Sequence, residues 1–400
     1  MQTQLADFIK LTDKGRQADS ILRNCVHCGF CNAVCPTYQL LGDELDGPRG
    51  RIYLIKQLLE GGEATRPTQL HLDRCLTCRA CETACPSGVQ YVRLLDIGRE
   101  IVDEQVKRSW FQRGLRGLMR FWLPYPRRFA NLVASGRGLR FLLPERLKIK
   151  LPARQVVRTG QNARHHRRML MLEGCVQPSL APNINAASAR VLDSLGISLV
   201  VAKSAGCCGA LPYHLDDQRG GLDMMRRMID VCWPQVENGV EAIVTTASGC
   251  GVTVKDYGEL FKHDPGYAEK AARVSALAKD ISEIMQHEDL SVFNINPRRI
   301  AFHSPCTLQH GQRLNGVVEQ LLTQLGFTLT TVADAHLCCG SAGSYSIFQP
   351  VLAGQLRRSK IQALQAERPE LIATANIGCW LHLQERADVP VVHWIELLAS

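Results

Sequence analysis

The segment CVHCGFCNAVCP places cysteines at positions 25, 28, 31 and 35, and Pro36 follows the last. Fifty residues on, CLTCRACETACP repeats the arrangement at Cys75, Cys78, Cys81 and Cys85, followed by Pro86. In the C-x2-C-x2-C-x3-C-P run, three thiolates wrap one iron–sulfur cube and the fourth reaches the other cube of a pair. The spacing therefore assigns Cys25, Cys28, Cys31 and Cys85 to one [4Fe–4S] cluster, and Cys75, Cys78, Cys81 and Cys35 to a second. Each following proline is expected to redirect the chain, because it lacks an N–H and cannot continue a helical turn. Structural zinc also takes four cysteines, but usually in two separated C-x2-4-C pairs, unlike two complete cluster runs. His27 lies inside a ligand loop and reads as a neighbour that tunes the site. Small residues such as Gly29 and Ala80 suit backbone N–H groups turned toward cluster sulfur.

A second cysteine set emerges when residues 169–400 are compared with themselves. One half runs RMLMLEGC (168–175), LGISLVV (195–201), AGCCGA (205–210) and EAIVTTASGC (241–250). The other runs RIAFHSPC (299–306), LGFTLTT (325–331), HLCCGS (336–341) and ELIATANIGC (370–379). Each supplies four thiols: Cys175, Cys207, Cys208 and Cys250, then Cys306, Cys338, Cys339 and Cys379. Vicinal thiolates can face one metal centre, so a third or fourth cluster, zinc, or a dithiol redox centre are all open. Gly209, Gly249, Gly340 and Gly378 would let backbone pass close to a bulky site. Cys232 has no counterpart in the other half and reads as core; His303 and His336 read as packing beside ligand positions.

The elements that must hold these thiols follow from periodicity. Apolar spacing predicts helices over 49–60 and 92–106 between and after the two runs, and over 184–195 and 317–325 in the repeats. In the repeats each helix alternates with apolar strands, which argues for parallel sheets with cysteines in loops at strand carboxyl ends. The fold class is therefore α+β multidomain: a helical two-cluster ferredoxin-type domain (1–104), a basic amphipathic linker (105–168), and two α/β cysteine-rich units (169–295 and 296–400).

The totals agree. Of 400 residues, 46% are hydrophobic and 21% charged, ordinary for a globular protein, so real cores can form around the sites. Seventeen cysteines cannot all pair, and the N-terminus MQTQLADFIKLTDKGRQ shows no secretory pattern, so the thiols point to metal work in a reducing compartment. No apolar run is long enough to span a membrane. The net charge is +9, yet residues 105–168 hold 17 Lys or Arg against one acid, Glu145, so the remainder is net acidic. In that segment Trp110, Phe111, Phe121, Trp122 and Phe129 interleave with Arg113, Arg116, Arg120, Arg127 and Arg128, as on an interfacial helix. It reads as a docking surface for an anionic membrane face or an acidic partner. No nucleic-acid-binding motif accompanies it, so no nucleic acid is expected.

Two ferredoxin runs followed by two repeats bearing CCG (207–209 and 338–340) resemble the iron–sulfur subunits that partner flavin oxidoreductases. That group includes subunits of heterodisulfide reductase, anaerobic glycerol-3-phosphate dehydrogenase and the lactate-utilisation proteins. The stretches LLGDELDGPRGRIYLIKQ (40–57), LDRCLTCRACETACPSGV (72–89), MLEGCVQP (171–178), SPCTLQH (304–310), HLCCGSAGSY (336–345) and TANIGC (374–379) are most similar to the glycolate oxidase iron–sulfur subunits. The resemblance implies an electron-transfer chain with no catalytic residue of its own. It implies FAD on separate flavin-binding subunits that oxidise glycolate, a quinone-type acceptor, and a cytoplasmic location peripheral to the inner membrane. One departure stands out. Heterodisulfide reductase relatives end each repeat with CxxC, whereas here Gly251, Val252 and Thr253 follow Cys250, and Trp380, Leu381 and His382 follow Cys379. That counts against a five-cysteine centre and against disulfide cleavage. The chain also lacks a GxGxxG and a P-loop, as expected of a subunit that binds no nucleotide through them.

Overall fold

The computed structural model describes residues 1–142, 151–155, 165–202 and 204–399. These fall into two compact units, Met1–Arg116 with Asp334–Lys360, and Gly117–Ala333 with Ile361–Ser400.

The first unit is helical. Its core is built by the helices Asp13–Asn24, Pro48–Leu59 and Tyr91–Gln105, which bury Ala18, Ile21, Leu22, Ile55, Leu59, Leu94 and Leu95. The expected helices at 49–60 and 92–106 are thus present within a residue of their predicted ends. Pro48 sits at the first turn, where its missing N–H costs no hydrogen bond. Gly98 faces Ile55 so closely that an added Cβ would lie 2.7 Å from it, which lets these two helices approach. The segment Asp334–Lys360 carries Cys338 and Cys339 into this unit. There the guanidinium of Arg116 lies 4.4 Å from the Phe348 ring, and Lys360 Nζ donates to Asp334 O at 2.7 Å.

The second unit contains two four-stranded parallel sheets with the same strand order. Strands β1 (Arg167–Met171), β2 (Ile197–Val201), β3 (Ile243–Thr245) and β4 (Ala278–Asp280) form the order β2-β1-β3-β4. Strands β5 (Arg299–His303), β6 (Thr328–Leu329), β7 (Leu371–Thr374) and β8 (Val391–His393) form β6-β5-β7-β8. In each sheet the first strand pairs with the second on one side and the third on the other. The repeat seen in the sequence is therefore a repeat of topology. The predicted helices appear at Pro182–Ser194 and Val317–Gln324.

Alternate residues of β1 and β3 serve different cores, as the two-residue period requires. Met169 and Val244 join a core that also holds Ile300, Phe302 and Leu371 from the second sheet. Leu170 and Ile243 face a separate core with Met228, Ile229 and Cys232. The two repeats thus share one apolar interior.

Among its described residues the basic segment forms the α-helices Trp110–Trp122 and Pro126–Gly138, where one or two short helices were expected. Residues 143–150 and 156–164 of it lie outside the described residues. The segment is more firmly attached than a solvated linker. Arg108 bonds Asp73 and Asp103, while Arg120 donates to the carbonyls of Leu215 and Asp216. Phe129 and Val133 are buried in the shared core of the second unit.

Candidate metal centres

Both N-terminal runs are built alike. A helix ends, the first cysteine follows, and two left-handed residues turn the chain before a one-turn helix that carries the third cysteine. The left-handed pairs are His27 and Gly29 in the first run, and Thr77 and Arg79 in the second. The short helices are Phe30–Ala33 and Ala80–Thr83. The same backbone thus forms with or without glycine, so the small residue at 29 has a local cause: an added Cβ would lie 2.5 Å from the Arg49 guanidinium.

Pro36 does not stop a helix. It opens one, Pro36–Leu41, at the first position, with Cys35 as the residue before it. The expectation that proline ends a turn is corrected here: its fixed φ suits a helix start, and its absent N–H is one of those a helix start leaves unpaired. Pro86 lies in a turn.

The eight cysteines divide crosswise. Cys25, Cys28, Cys31 and Cys85 line one cavity of about 430 Å³ that opens to solvent. Cys35, Cys75, Cys78 and Cys81 line a second of about 320 Å³. Cys81 and Tyr91 touch both and form part of the wall between them. Burial pushes the Cys31 thiol up to about 11, and Cys25, Cys85 and Cys28 push it further in the same direction. Burial likewise raises Cys81, with Cys78, Cys75 and Cys35 as its charged neighbours. Thiols packed this way resist ionisation unless a cation replaces the protons.

The walls fit an iron–sulfur cofactor. Backbone N–H groups already point at ligand sulfur: Thr77 N donates to Cys75 Sγ at 3.4 Å, and Val89 N to Cys85 Sγ at 3.5 Å. His27 Nε2 is buried at the first wall without a hydrogen-bond partner, while the buried Tyr91 hydroxyl lies in hydrogen-bonding reach of Cys75. A cluster sulfide supplies the acceptor that the His27 ring requires as a donor.

In the second unit the thiols arrive from separated strand ends. Cys175 follows β1, Cys207 and Cys208 follow β2, and Cys250 lies in the helix Ser248–Lys255 after β3. They meet at the carboxyl edge, where the strand order reverses. Cys207 contacts Cys175 and Cys208, and Cys208 contacts Cys250, so the four sulfurs form a continuous chain. Hydrogen bonds from Cys207, Cys250 and the Ala210 N–H hold the Cys208 thiol well below its ordinary range. The same contacts raise Cys207 and Cys250. The matched positions of the second repeat are Cys306 after β5, Cys338 and Cys339 after β6, and Cys379 in the helix Ile377–Gln384 after β7; all four are buried.

The CCG glycines act differently from the sequence expectation. Gly209 and Gly340 are left-handed, at φ 86° and 88°. Their N–H groups donate to Cys207 Sγ and Cys338 Sγ, each at 3.4 Å. An added Cβ would strike Gly221 O and the Met225 side chain at position 209, and Ala353 O at position 340. They are glycines because a helix packs against the turn. Thr253 occupies the position of the missing cysteine in the first repeat, and its hydroxyl donates to Gly249 O at 3.0 Å. Cys232 is fully buried in the core, where burial pushes its thiol up to about 12, in keeping with a packing role. His303 is buried at the end of β5, and His336 is half-buried.

Several residues of the second cavity carry no signal in the sequence, Thr37, Arg51, Arg79 and Tyr91 among them. Arg51 lines it at 1% exposure, hydrogen-bonded to Thr37, the His71 carbonyl and Asp46.

Residues 21–89 match the 4Fe-4S dicluster domain, and residues 169–255 and 300–384 each match the cysteine-rich domain. Over its whole length the chain is 58% identical to the glycolate oxidase iron-sulfur subunit of Escherichia coli K12, covering 98% of that protein. It is 31% identical to the probable glycolate oxidase iron-sulfur subunit of Bacillus subtilis 168, across 96% of this chain and 95% of that one. Lactate utilization protein A of Bacillus licheniformis is 23% identical over 56% of this chain and 96% of its own length.

Proposed function

The chain belongs to the glycolate oxidase iron–sulfur subunits, and from that premise we propose that it receives electrons from flavin-binding subunits that oxidise glycolate to glyoxylate and delivers them toward a quinone-type acceptor. The oxidation releases two electrons and two protons. When bound, [4Fe–4S] clusters supply one-electron chemistry. The ligands would be Cys25, Cys28, Cys31 and Cys85 for one cluster, and Cys75, Cys78, Cys81 and Cys35 for the other. The observation that carries this reading is the crosswise grouping of eight thiols around two cavities with a common wall at Cys81 and Tyr91. Two centres so placed suit electron passage.

Within the same unit, Tyr345 lies in electrostatic reach of Cys75 on the cluster side and of Cys338. This supports the pair Cys338 and Cys339 as part of a further redox station, and the match of both repeats to the cysteine-rich domain extends that reading to Cys175, Cys207, Cys208 and Cys250 in the first. The test uses the purified, iron-replete chain with glycolate and an artificial electron acceptor. The expected result is no turnover until the flavin subunits are added; turnover by the chain alone would overturn the reading.

The location proposed is the cytoplasmic face of the inner membrane, held peripherally. No helix among the described residues is long and apolar enough to cross a membrane. The support is the exposed set Trp110, Phe111 and Phe121 on the helix Trp110–Trp122, which also carries the exposed Arg113, with Arg128 stacked over the Phe121 ring at 4.3 Å. Aromatic rings at the headgroup level with cations around them suit an anionic surface. Co-sedimentation with vesicles containing anionic lipid should fall at least tenfold for Trp110→Ala combined with Phe111→Ala; unchanged binding would refute it.

A further inference from the structure

The two cysteine cavities differ in the charge set beside them. At the first, Arg49 is about a third exposed and its guanidinium is held by both carboxylate oxygens of Glu44, at 2.6 and 3.0 Å. A neutral pair in contact with water projects little field. At the second, two arginines line the wall: Arg79, which is half-buried, and Arg51, which has essentially no contact with water.

Arg51 stands in a defined network. Nε donates to His71 O at 2.7 Å, and both terminal nitrogens donate to Thr37 Oγ1 at 3.2 Å. Thr37 Oγ1 in turn lies 3.3 Å from Cys35 Sγ, so one hydroxyl separates the guanidinium from a ligand sulfur. Asp46, fully buried, takes Arg51 on one oxygen at 3.3 Å. Its other oxygen accepts from Arg74 at 2.7 Å. Two guanidiniums therefore share one buried carboxylate, and the second carboxylate nearby, Asp43, is exposed to solvent, which screens it. Asp43, Asp46 and His71 are close enough together to suggest a cation site, but the two arginines already neutralise Asp46.

We propose that Arg51 is a potential-setting residue: its buried, permanent charge stabilises the extra electron at the centre held by Cys35, Cys75, Cys78 and Cys81, and so raises that centre's reduction potential selectively. The proposal rests on the reading that this cavity holds a [4Fe–4S] cluster. The physics is Coulombic. Arginine does not lose its proton in proteins, and a charge in a dry interior acts with little screening. Net charge near the cluster is one of the levers on its potential. Burial works against the charged form of Arg51, yet Tyr91, Cys75, Cys35 and Asp46 carry the balance the other way.

Arg51 also ties the helix Pro48–Leu59 to Thr37 and His71, so a purely structural role is the competing explanation. The sign of the effect separates the two. The experiment is an anaerobic, EPR-monitored redox titration of the full chain, with iron content measured on each preparation. Arg51→Gln should make one N-terminal centre about tenfold harder to reduce, about 59 mV for a one-electron couple, and leave the other in place. Asp46→Asn, which removes the negative member, should move the same centre in the opposite direction. Arg51→Lys should keep most of the wild-type potential. If Arg51→Gln fails to retain iron, Asp46→Asn and the partly exposed Arg74→Gln decide the matter, with an upward and a smaller downward shift expected. Iron-replete variants whose two centres move together, do not move, or move in the same direction for Arg51→Gln and Asp46→Asn would overturn the proposal. An iron-free wild-type chain would overturn it together with the cluster reading.

Discussion

The N-terminal cavities and the site at the end of the first sheet each gather four sulfurs, by opposite means. In the N-terminal unit, three thiols of each set come from one short loop and only the fourth comes from afar. In the sheet unit, the thiols come from the ends of three strands, and the vicinal pair Cys207–Cys208 is the sole local element. The loop geometry depends on two left-handed residues in each run. The strand geometry depends on sheet topology and on a glycine that lets a helix close over the turn. A local site should therefore fail ligand by ligand, and a topological site should fail with its scaffold.

The largest expected effect breaks the N-terminal site in a pattern that reveals its wiring. Cys85→Ser and Cys28→Ser should each cost up to about four irons per chain and abolish the same EPR signal. Cys35→Ser and Cys78→Ser should abolish the other signal. Grouping of Cys85 with Cys78 would show that the runs do not exchange ligands.

Next comes the scaffold of the cysteine-rich repeats. Gly340→Ala forces an L-residue to φ near 88° and brings its Cβ to 2.8 Å from Ala353 O. The expected loss is roughly 3 kcal/mol of stability, with the metal content of the second repeat lost alongside it. Gly42, left-handed at φ 65° with open space around it, provides the control. Gly42→Ala should cost about 1 kcal/mol and no iron. Equal losses at the two positions in chemical denaturation would remove the packing argument.

Acid should weaken the sheet unit through His393. It is fully buried, Nε2 lies 2.9 Å from Thr246 O, and Nδ1 accepts from Ile395 N at 3.3 Å, which fixes the neutral ring. Burial lowers it to about 4 from an ordinary 6.5. A folded value below the unfolded one means stability that is present above pH 6.5 and drains away as pH falls toward 4, by about 3 kcal/mol in all. His393→Gln should flatten the denaturant midpoint across that window. An unchanged slope would place the acid sensitivity elsewhere.

The smallest effect separates a ligand from a bystander. Cys232→Ala removes a core thiol that lies in the same apolar cluster as Cys208. It should cost about 1 kcal/mol and leave metal content intact. Loss of metal would bring Cys232 into the site.

Much of this was legible in the sequence because ligand spacing and amphipathic period are local. The crosswise grouping of the eight thiols, the helices near 49–60 and 92–106 and the duplicated strand–helix pattern could each be read from residue positions alone. So could the separation of Cys232 from the ligand cysteines, through its lack of a repeat partner. Glycine chemistry was misread, since an αL turn and a helix packed on it look the same in sequence as close approach to a cofactor.

The sequence by itself determined which sulfurs go together and which segments form helices and strands, because covalent spacing and side-chain period operate over a few residues. Tertiary structure alone decided that Asp334–Lys360 carries Cys338 and Cys339 into the N-terminal unit, and that Arg51 loses its water while Arg49 keeps it. Two arginines two positions apart, with Gly50 between them, face different surroundings because positions i and i+2 on a helix point to nearly opposite sides, about 200° around the axis. Burial is a property of what packs on each face, and that is set by residues distant in the chain.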